Sequence, residues 1–324
     1  MQRLSLANTP TKISKLERLS SELGKNIWIK RDDQTGTEIS GNKIRKLEYS
    51  LKQAIDQGYD TVITCGGLQS NHCRATAAAA AQIGIKSILL LRLTDGAKIE
   101  GNYFLDKILG AEVIFCTPEE YRFSRNDIMN SIASKRAESG QKVYVIPEGA
   151  SNGIGCMGYY SCYEEILEQE RAMGVVFDDI IVATGSGGTY TGLVLANKIL
   201  KGGKRITGFT VCDDAEYFTN VSLTIGKEAL EYIGVKCELE QRDIHYNDKY
   251  SGIGYALSTP EELNFIAKIA SLEGLILDPV YTGKAMKGLY SEIKLGTFGD
   301  SKNILFIHTG GLFGLFPKQN DFIF

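Results

Sequence analysis

Thr61-Val62-Ile63-Thr64-Cys65-Gly66-Gly67-Leu68-Gln69-Ser70-Asn71-His72-Cys73-Arg74-Ala75-Thr76-Ala77-Ala78-Ala79-Ala80-Ala81-Gln82-Ile83-Gly84 decides the fold class. Five β-prone residues, Thr61 to Cys65, run into a glycine-bearing polar loop. Asn71 to Ile83 is then a strong helix former, carried by five consecutive alanines and ended by Gly84. Upstream, Asn42 to Gln57 reads as a helix, with Leu47, Leu51 and Ile55 four residues apart and Gly58 as its stop. Downstream the strand-then-helix pattern repeats: strand Ser87 to Leu91, a helix near Ile99 to Leu109, strand Glu112 to Cys116, a helix opened by Thr117-Pro118-Glu119-Glu120, and strand Val143 to Ile146. Such alternation predicts a parallel sheet covered by helices.

A second α/β unit follows. Gly149 to Gly155 leads into a helix, and the apolar strand Ile180 to Ala183 runs into Thr184-Gly185-Ser186-Gly187-Gly188-Thr189. Strand Ile206 to Val211, a helix opened by Thr259-Pro260-Glu261-Glu262 and closed near Gly274, a helix from about Gly283, and strand Ile304 to Ile307 complete it. The first residues read as irregular, and Ala215 to Gly254 carries no legible pattern.

The bulk numbers narrow the function. A chain of 324 residues suits two domains, and 43% hydrophobic with 23% charged residues is an ordinary globular composition. With 36 basic against 39 acidic side chains and no run of one sign, the charge of −3 argues against nucleic acid or an anionic membrane and for a small-molecule partner. Seven scattered cysteines, an odd number without a Cys-x-x-Cys pair, argue against a disulfide framework or metal cluster and for reduced thiols. Met1 to Pro10 has no apolar stretch of signal length, and no apolar run approaches a membrane span, so the expected location is cytoplasmic.

Three motifs carry chemistry. Thr184, Gly185, Ser186, Gly187, Gly188 and Thr189 stand between a strand and a helix start, where free N–H groups and the helix dipole attract a phosphate. As a dinucleotide fingerprint the stretch lacks its third glycine, Tyr190 standing there, and no Gly-Lys pair is followed by the Ser or Thr of a Walker loop. Ser40-Gly41-Asn42-Lys43-Ile44-Arg45-Lys46-Leu47-Glu48 puts two lysines on one face of a helix start. A neighbouring cation and partial desolvation lower an amine's pKa, as a Schiff-base lysine requires, although an ordinary surface lysine would fit the same position. Gly149-Ala150-Ser151-Asn152-Gly153 satisfies a nucleophile-elbow pattern, with Asp278 and His308 following, and so admits an α/β-hydrolase; no His-Gly-Gly oxyanion segment precedes it.

The Lys43 stretch resembles the Gly-Asn-Lys-x-Arg-Lys-Leu-Glu-Tyr motif of the D-cysteine desulfhydrase and 1-aminocyclopropane-1-carboxylate deaminase family, which are tryptophan-synthase-β-like (fold type II) pyridoxal-phosphate enzymes. The likeness continues in order through Gly67 to His72, Val145 to Asn152, Thr184 to Thr189, Gly254-Tyr255, Leu277 to Ala285 and His308 to Gly311. It departs at Ala150, Ala256 and Ser258, where the family usually has Gly, Gly and Pro. The resemblance implies two α/β domains with pyridoxal 5'-phosphate between them, the larger from residues 1–50 and 155–324 and the smaller from 51–154. It implies Lys43 as the Schiff-base lysine, Lys46 and Thr184 to Thr189 at the phosphate, Asn71 and Thr309 on the cofactor, and Gln69, Ser70, Asn71, His72, Tyr255, Tyr281 and Thr282 around a small amino-acid substrate. Ser70 and Tyr281 join Lys43 in catalysis on this reading, and a homodimer is the implied assembly.

The expected reaction is β-elimination and deamination, with D-cysteine giving pyruvate, hydrogen sulfide and ammonia. Family deaminases resemble Tyr-Glu-Gly-Lys and His-Leu-Gly-Gly where this chain has Thr282 and Thr309, which favours the desulfhydrase side. A lyase acting on cysteate or another β-substituted amino acid, and the aminocyclopropane-carboxylate deaminase itself, are the alternatives.

Overall fold

The computed structural model describes residues 2–93 and 96–323. Its ten strands are β1 (Ile13–Lys15), β2 (Asn26–Lys30), β3 (Thr61–Gly67), β4 (Lys86–Arg92), β5 (Glu112–Cys116), β6 (Val143–Val145), β7 (Asp179–Thr184), β8 (Arg205–Thr210), β9 (His245–Asn247) and β10 (Asn303–Ile307). They form two sheets, one of order β5-β4-β3-β6 and one of order β1-β2-β10-β7-β8-β9. All pairs are parallel except β1 with β2, which makes an antiparallel edge.

The strands deep in each sheet are the apolar runs. Every residue of β7, and β3 as far as Gly66, is buried, as expected when helices cover both faces of a parallel sheet. One core on the large sheet gathers Tyr159, Tyr163, Leu193 and Leu305, and another gathers Ile29, Ile181, Phe209 and Phe306. In the small sheet Leu47, Leu51, Val62 and Ala79 pack together, with Ile63, Ile88 and Met129 in a separate cluster.

Local sequence explains where helices start. Thr117 and Thr259 both form capping boxes, with Glu120 and Glu262, at the starts of helices Pro118–Glu138 and Pro260–Glu273. Ser70 caps helix Asn71–Gln82 by accepting from the Cys73 N–H at 3.2 Å.

Two expectations need correction. The start of the chain is not irregular: β1, helix Glu17–Leu23 and β2 occupy it, and β2 pairs with β10 from the far end of the chain. The stretch after Ala215 contains helix Ala215–Ile233, capped by Asp214, and the three-residue edge strand β9. Short strands that gain their stability from distant partners leave little local pattern.

Strand order also places a crevice. In the large sheet the path β7 to β8 to β9 runs one way while β10 lies on the other side of β7; in the small sheet β4 and β6 flank β3. Ligands in such sheets bind beyond the strand carboxyl ends where the order reverses. Those ends are Thr184 and Ile307 in one sheet and Gly67 in the other.

Candidate active site

Lys43 opens helix Lys43–Asp56, and the preceding residues anchor it. Gly41 has φ +103°, and a Cβ there would lie 2.8 Å from the Thr309 carbonyl oxygen. Only glycine lets this turn sit on the loop after β10. The Asn42 N–H donates to the Thr309 carbonyl at 3.1 Å, and its Nδ2 donates to Thr189 Oγ1 at 2.9 Å. Lys43 Nζ donates to Asn42 Oδ1 at 2.9 Å and lies 5.8 Å from the Tyr281 ring centroid. Asn42 therefore ties the lysine to both the glycine loop and the Thr309 loop.

Burial pushes the Lys43 amine down to about 8; Asp278 and Glu148 oppose the shift, and Arg74 adds to it. Lys46, fully buried one helical turn on, is held well below the ordinary lysine value by burial and then by Lys43. Its Nζ donates to Ser151 Oγ at 3.1 Å, and that oxygen also shares a hydrogen bond with Ser186 Oγ at 2.8 Å and accepts from the Gly188 N–H at 3.2 Å. Two amines starved of a counter-ion stand behind and beside the glycine loop.

The cavity between the strand ends is lined by Lys43, Ser70, Asn71, His72, Thr184, Gly185, Ser186, Gly187, Thr189, Tyr255, Tyr281 and Thr309. Loop 184–189 feeds helix Gly188–Ile199, whose first N–H groups have no intrahelical acceptor. A Cβ at Gly185 would lie 2.8 Å from Tyr281 Cε1, so loop and ring are in close apposition. The Tyr281 and Tyr255 hydroxyls share a hydrogen bond of 2.6 Å; burial holds Tyr281 well above its ordinary pKa and Tyr255 at about 12, so both stay protonated. His72 Nε2 shares a hydrogen bond of 2.8 Å with Thr64 Oγ1 while Nδ1 has no partner, and burial, with Lys43 and Lys46, keeps the ring neutral.

Other residues singled out from sequence stand outside the cavity wall. Lys46 and Gly188 lie behind the loop through Ser151. Gln69 faces away, its Oε1 accepting from the Asn102 N–H at 2.8 Å and its Nε2 donating to the Glu100 carbonyl at 3.0 Å. Thr282 is buried, its hydroxyl donating to Asp278 Oδ1 at 2.7 Å and accepting from the Asp278 N–H at 2.8 Å. The hydrolase alternative is not assembled: Ser151 contacts Lys46 and Ser186, while His308 shares a bond with the Ile276 carbonyl and accepts from the Gly310 N–H. Ala150 and Ala256, which replace usual glycines, take φ of 48° and 59°, so both loops keep a left-handed turn.

Asn42 and Glu148 line the cavity without a role assigned in the sequence reading. Asn42 lay inside the lysine motif, but its bridging needs Thr189, 147 residues away. Glu148 lines the cavity with Oε1 accepting from the Tyr121 hydroxyl at 2.7 Å, and a lone acid after a proline carries no periodic signal.

The family pattern described as "Pyridoxal-phosphate dependent enzyme" matches residues 4–310. The chain belongs to the pyridoxal-phosphate-dependent enzymes. It is 43% identical to the bifunctional D-cysteine desulfhydrase/1-aminocyclopropane-1-carboxylate deaminase of Arabidopsis thaliana over 98% of this chain and 80% of that protein. It is 40% identical to the D-cysteine desulfhydrase of Yersinia enterocolitica over 97% of this chain and 95% of the relative. The solved structure of an ACC deaminase homologue superposes with a TM-score of 0.90 at 41% identity, covering 98% of this chain and 94% of that one. Within the pyridoxal-phosphate enzymes it is thus a lyase or deaminase of the fold type II class.

The residues present fit that cofactor. The lowered Lys43 amine suits an aldehyde, and the helix start with Ser186 and Thr189, backed by Lys46, suits a phosphate. The buried Thr184 hydroxyl and His72 Nδ1, both without partners, leave polar groups for a ligand to satisfy. Among the described residues, no helix is long and apolar enough to cross a membrane, and all seven cysteines are free.

Proposed function

We propose that the protein degrades a small β-substituted amino acid by elimination and deamination, and that D-cysteine, giving pyruvate, hydrogen sulfide and ammonia, is its substrate. The supporting observation is the wall around Thr309. Asp278 is filled by the N–H groups of Val280, Tyr281 and Thr282 and by the Thr282 hydroxyl. Among the described residues, the acid lining the cavity is Glu148, held by the Tyr121 hydroxyl. Thr309 thus offers a hydroxyl at an end with no free carboxylate.

When bound, pyridoxal phosphate would supply an electron sink for the pair left at Cα, and a site that offers it the Thr309 hydroxyl in place of a carboxylate would keep that sink weak. Such a sink would favour expulsion of a good leaving group such as thiolate over opening of an unactivated cyclopropane. Lys43 Nζ, near 8, is poised to take the Cα proton at neutral pH. Ser70 and Asn71, at the start of helix Asn71–Gln82, hold the substrate carboxylate against the helix dipole. The protonated Tyr281 and Tyr255 pair stands on the leaving-group side and can hand a proton to the departing sulfur.

The test is 2-oxo acid formation from D-cysteine, L-cysteine, L-cysteate, D-serine and 1-aminocyclopropane-1-carboxylate with one holoenzyme preparation. D-cysteine should lead. Turnover of the cyclopropane substrate with D-cysteine inert would overturn the assignment.

A further inference from the structure

Arg92 ends β4 and stands in register beside Gly67 of β3, which lines the cavity. A Cβ on Gly67 would lie 3.8 Å from Arg92 Nη2, so the guanidinium lies close beside the bare glycine at the cavity rim. Its Cζ is 5.3 Å from the Tyr121 ring centroid and 5.6 Å from that of Tyr255. Packing against two rings preorganises the planar fork. Yet among the described residues no carboxylate or carbonyl accepts a hydrogen bond from the Arg92 guanidinium. Among the described residues, none takes up its five N–H donors, which can therefore serve a ligand.

The surroundings do not neutralise it. Arg125, with its Cζ also 5.3 Å from the Tyr121 ring centroid, lies 3.5 Å from Glu148 and donates to the Tyr121 and Arg122 carbonyls. Glu148 is engaged by Arg125 and the Tyr121 hydroxyl. An outer chamber is lined by Arg92, Arg122 and Arg125 against Glu148 and Asp213, and it meets the cavity at Gly67, Glu148, Gly185, Ser186 and Tyr255, with Glu148 already engaged by Arg125 and Tyr121. The chamber therefore carries three guanidinium groups against two carboxylates, and among the described residues Arg92 has no acidic partner. From Lys43, contacts run to the Tyr281 ring at 5.8 Å, to the Tyr255 ring at 6.0 Å from that ring, and on to Arg92. Arg92 thus adjoins Tyr255, which the elimination reading puts on the leaving-group side.

We propose that Arg92 is a specificity-determining residue that receives a negative charge at the far end of the substrate's β-substituent. S-substituted cysteines whose substituent ends in a carboxylate or sulfonate are then substrates of the same site. The inference rests on the elimination reading above. For S-carboxymethyl-D-cysteine the Cα proton passes to Lys43 Nζ, and the Cβ–S bond breaks with its electron pair on sulfur. Mercaptoacetate departs as its thiolate, and water converts the remaining enamine to pyruvate and ammonia.

The test compares kcat/KM for S-carboxymethyl-D-cysteine with its amide, S-carbamoylmethyl-D-cysteine, which has the same shape without the charge. Wild-type holoenzyme should prefer the acid by about tenfold or more, and added salt should erode the preference. Arg92→Gln should bring the ratio close to one, and Arg92→Lys should keep part of it; cofactor absorbance in each variant verifies an intact site. A wild-type enzyme that converts D-cysteine yet treats acid and amide alike would overturn the Arg92 inference alone. Equal loss on both substrates in Arg92→Gln would also overturn it, by assigning Arg92 to the α-carboxylate. If neither D-cysteine nor any S-substituted analogue yields pyruvate, the elimination reading falls first and takes this inference with it.

Discussion

The Lys43 amine offers the most quantitative test of the site. An ordinary lysine value of 10.5 moved to about 8 raises the neutral fraction at pH 7 by about 300-fold, to roughly a tenth of the molecules. Burial in a wall with few compensating acids causes the shift, while Asp278 and Glu148 limit it. Competitive acetylation of the apoprotein from about pH 6 to 11, read by peptide mass spectrometry, reports the neutral fraction at this one side chain. Its reactivity should reach half its plateau at about pH 8 and level off about one to two pH units higher. Glu148→Gln removes an opposing carboxylate and should move the midpoint further down. Because the folded chain then holds fewer protons than the unfolded one between about 8 and 10.5, this group makes apoprotein stability rise with pH across that window. A midpoint at the ordinary lysine value, or an upward move in Glu148→Gln, would refute the electrostatic account of the site.

Three further outcomes are expected. Lys43→Ala should abolish the borohydride-fixed pyridoxyl adduct, measured as protein mass; an adduct at another lysine would remove Lys43 from its role. Lys46→Ala and Thr189→Ala should each weaken pyridoxal-phosphate retention by about 1–3 kcal/mol in equilibrium dialysis, with far-ultraviolet circular dichroism unchanged. Asp32→Asn should cost about 3 kcal/mol or more in urea unfolding, because Arg45 and Asp32 are both fully buried and Asp32 also accepts from Tyr159.

Much of this protein was readable from the chain alone because the signals are local. Apolar runs of strand length, an alanine-rich helix, and two Thr-Pro-Glu-Glu caps depend on neighbours within four residues, so β3 to β8 and their helices follow from pattern. The glycines of loop 184–189 and the two lysines at a helix start also stand out, as types that ordinary packing does not require together. The tertiary structure decided what depends on partners far along the chain. β10 lies between β2 and β7, an order no local stretch encodes, and that insertion brings Thr309 to the Asn42 N–H and Asn42 to Thr189. It also decided that Thr282 spends its hydroxyl on Asp278, that Ser151 serves Lys46 and the glycine loop, and that Arg92 lies over Gly67. Secondary structure is governed by short-range backbone and side-chain preferences. Charge state, side-chain commitment and the shape of a cavity are set by burial and by groups that meet only when the sheets are built.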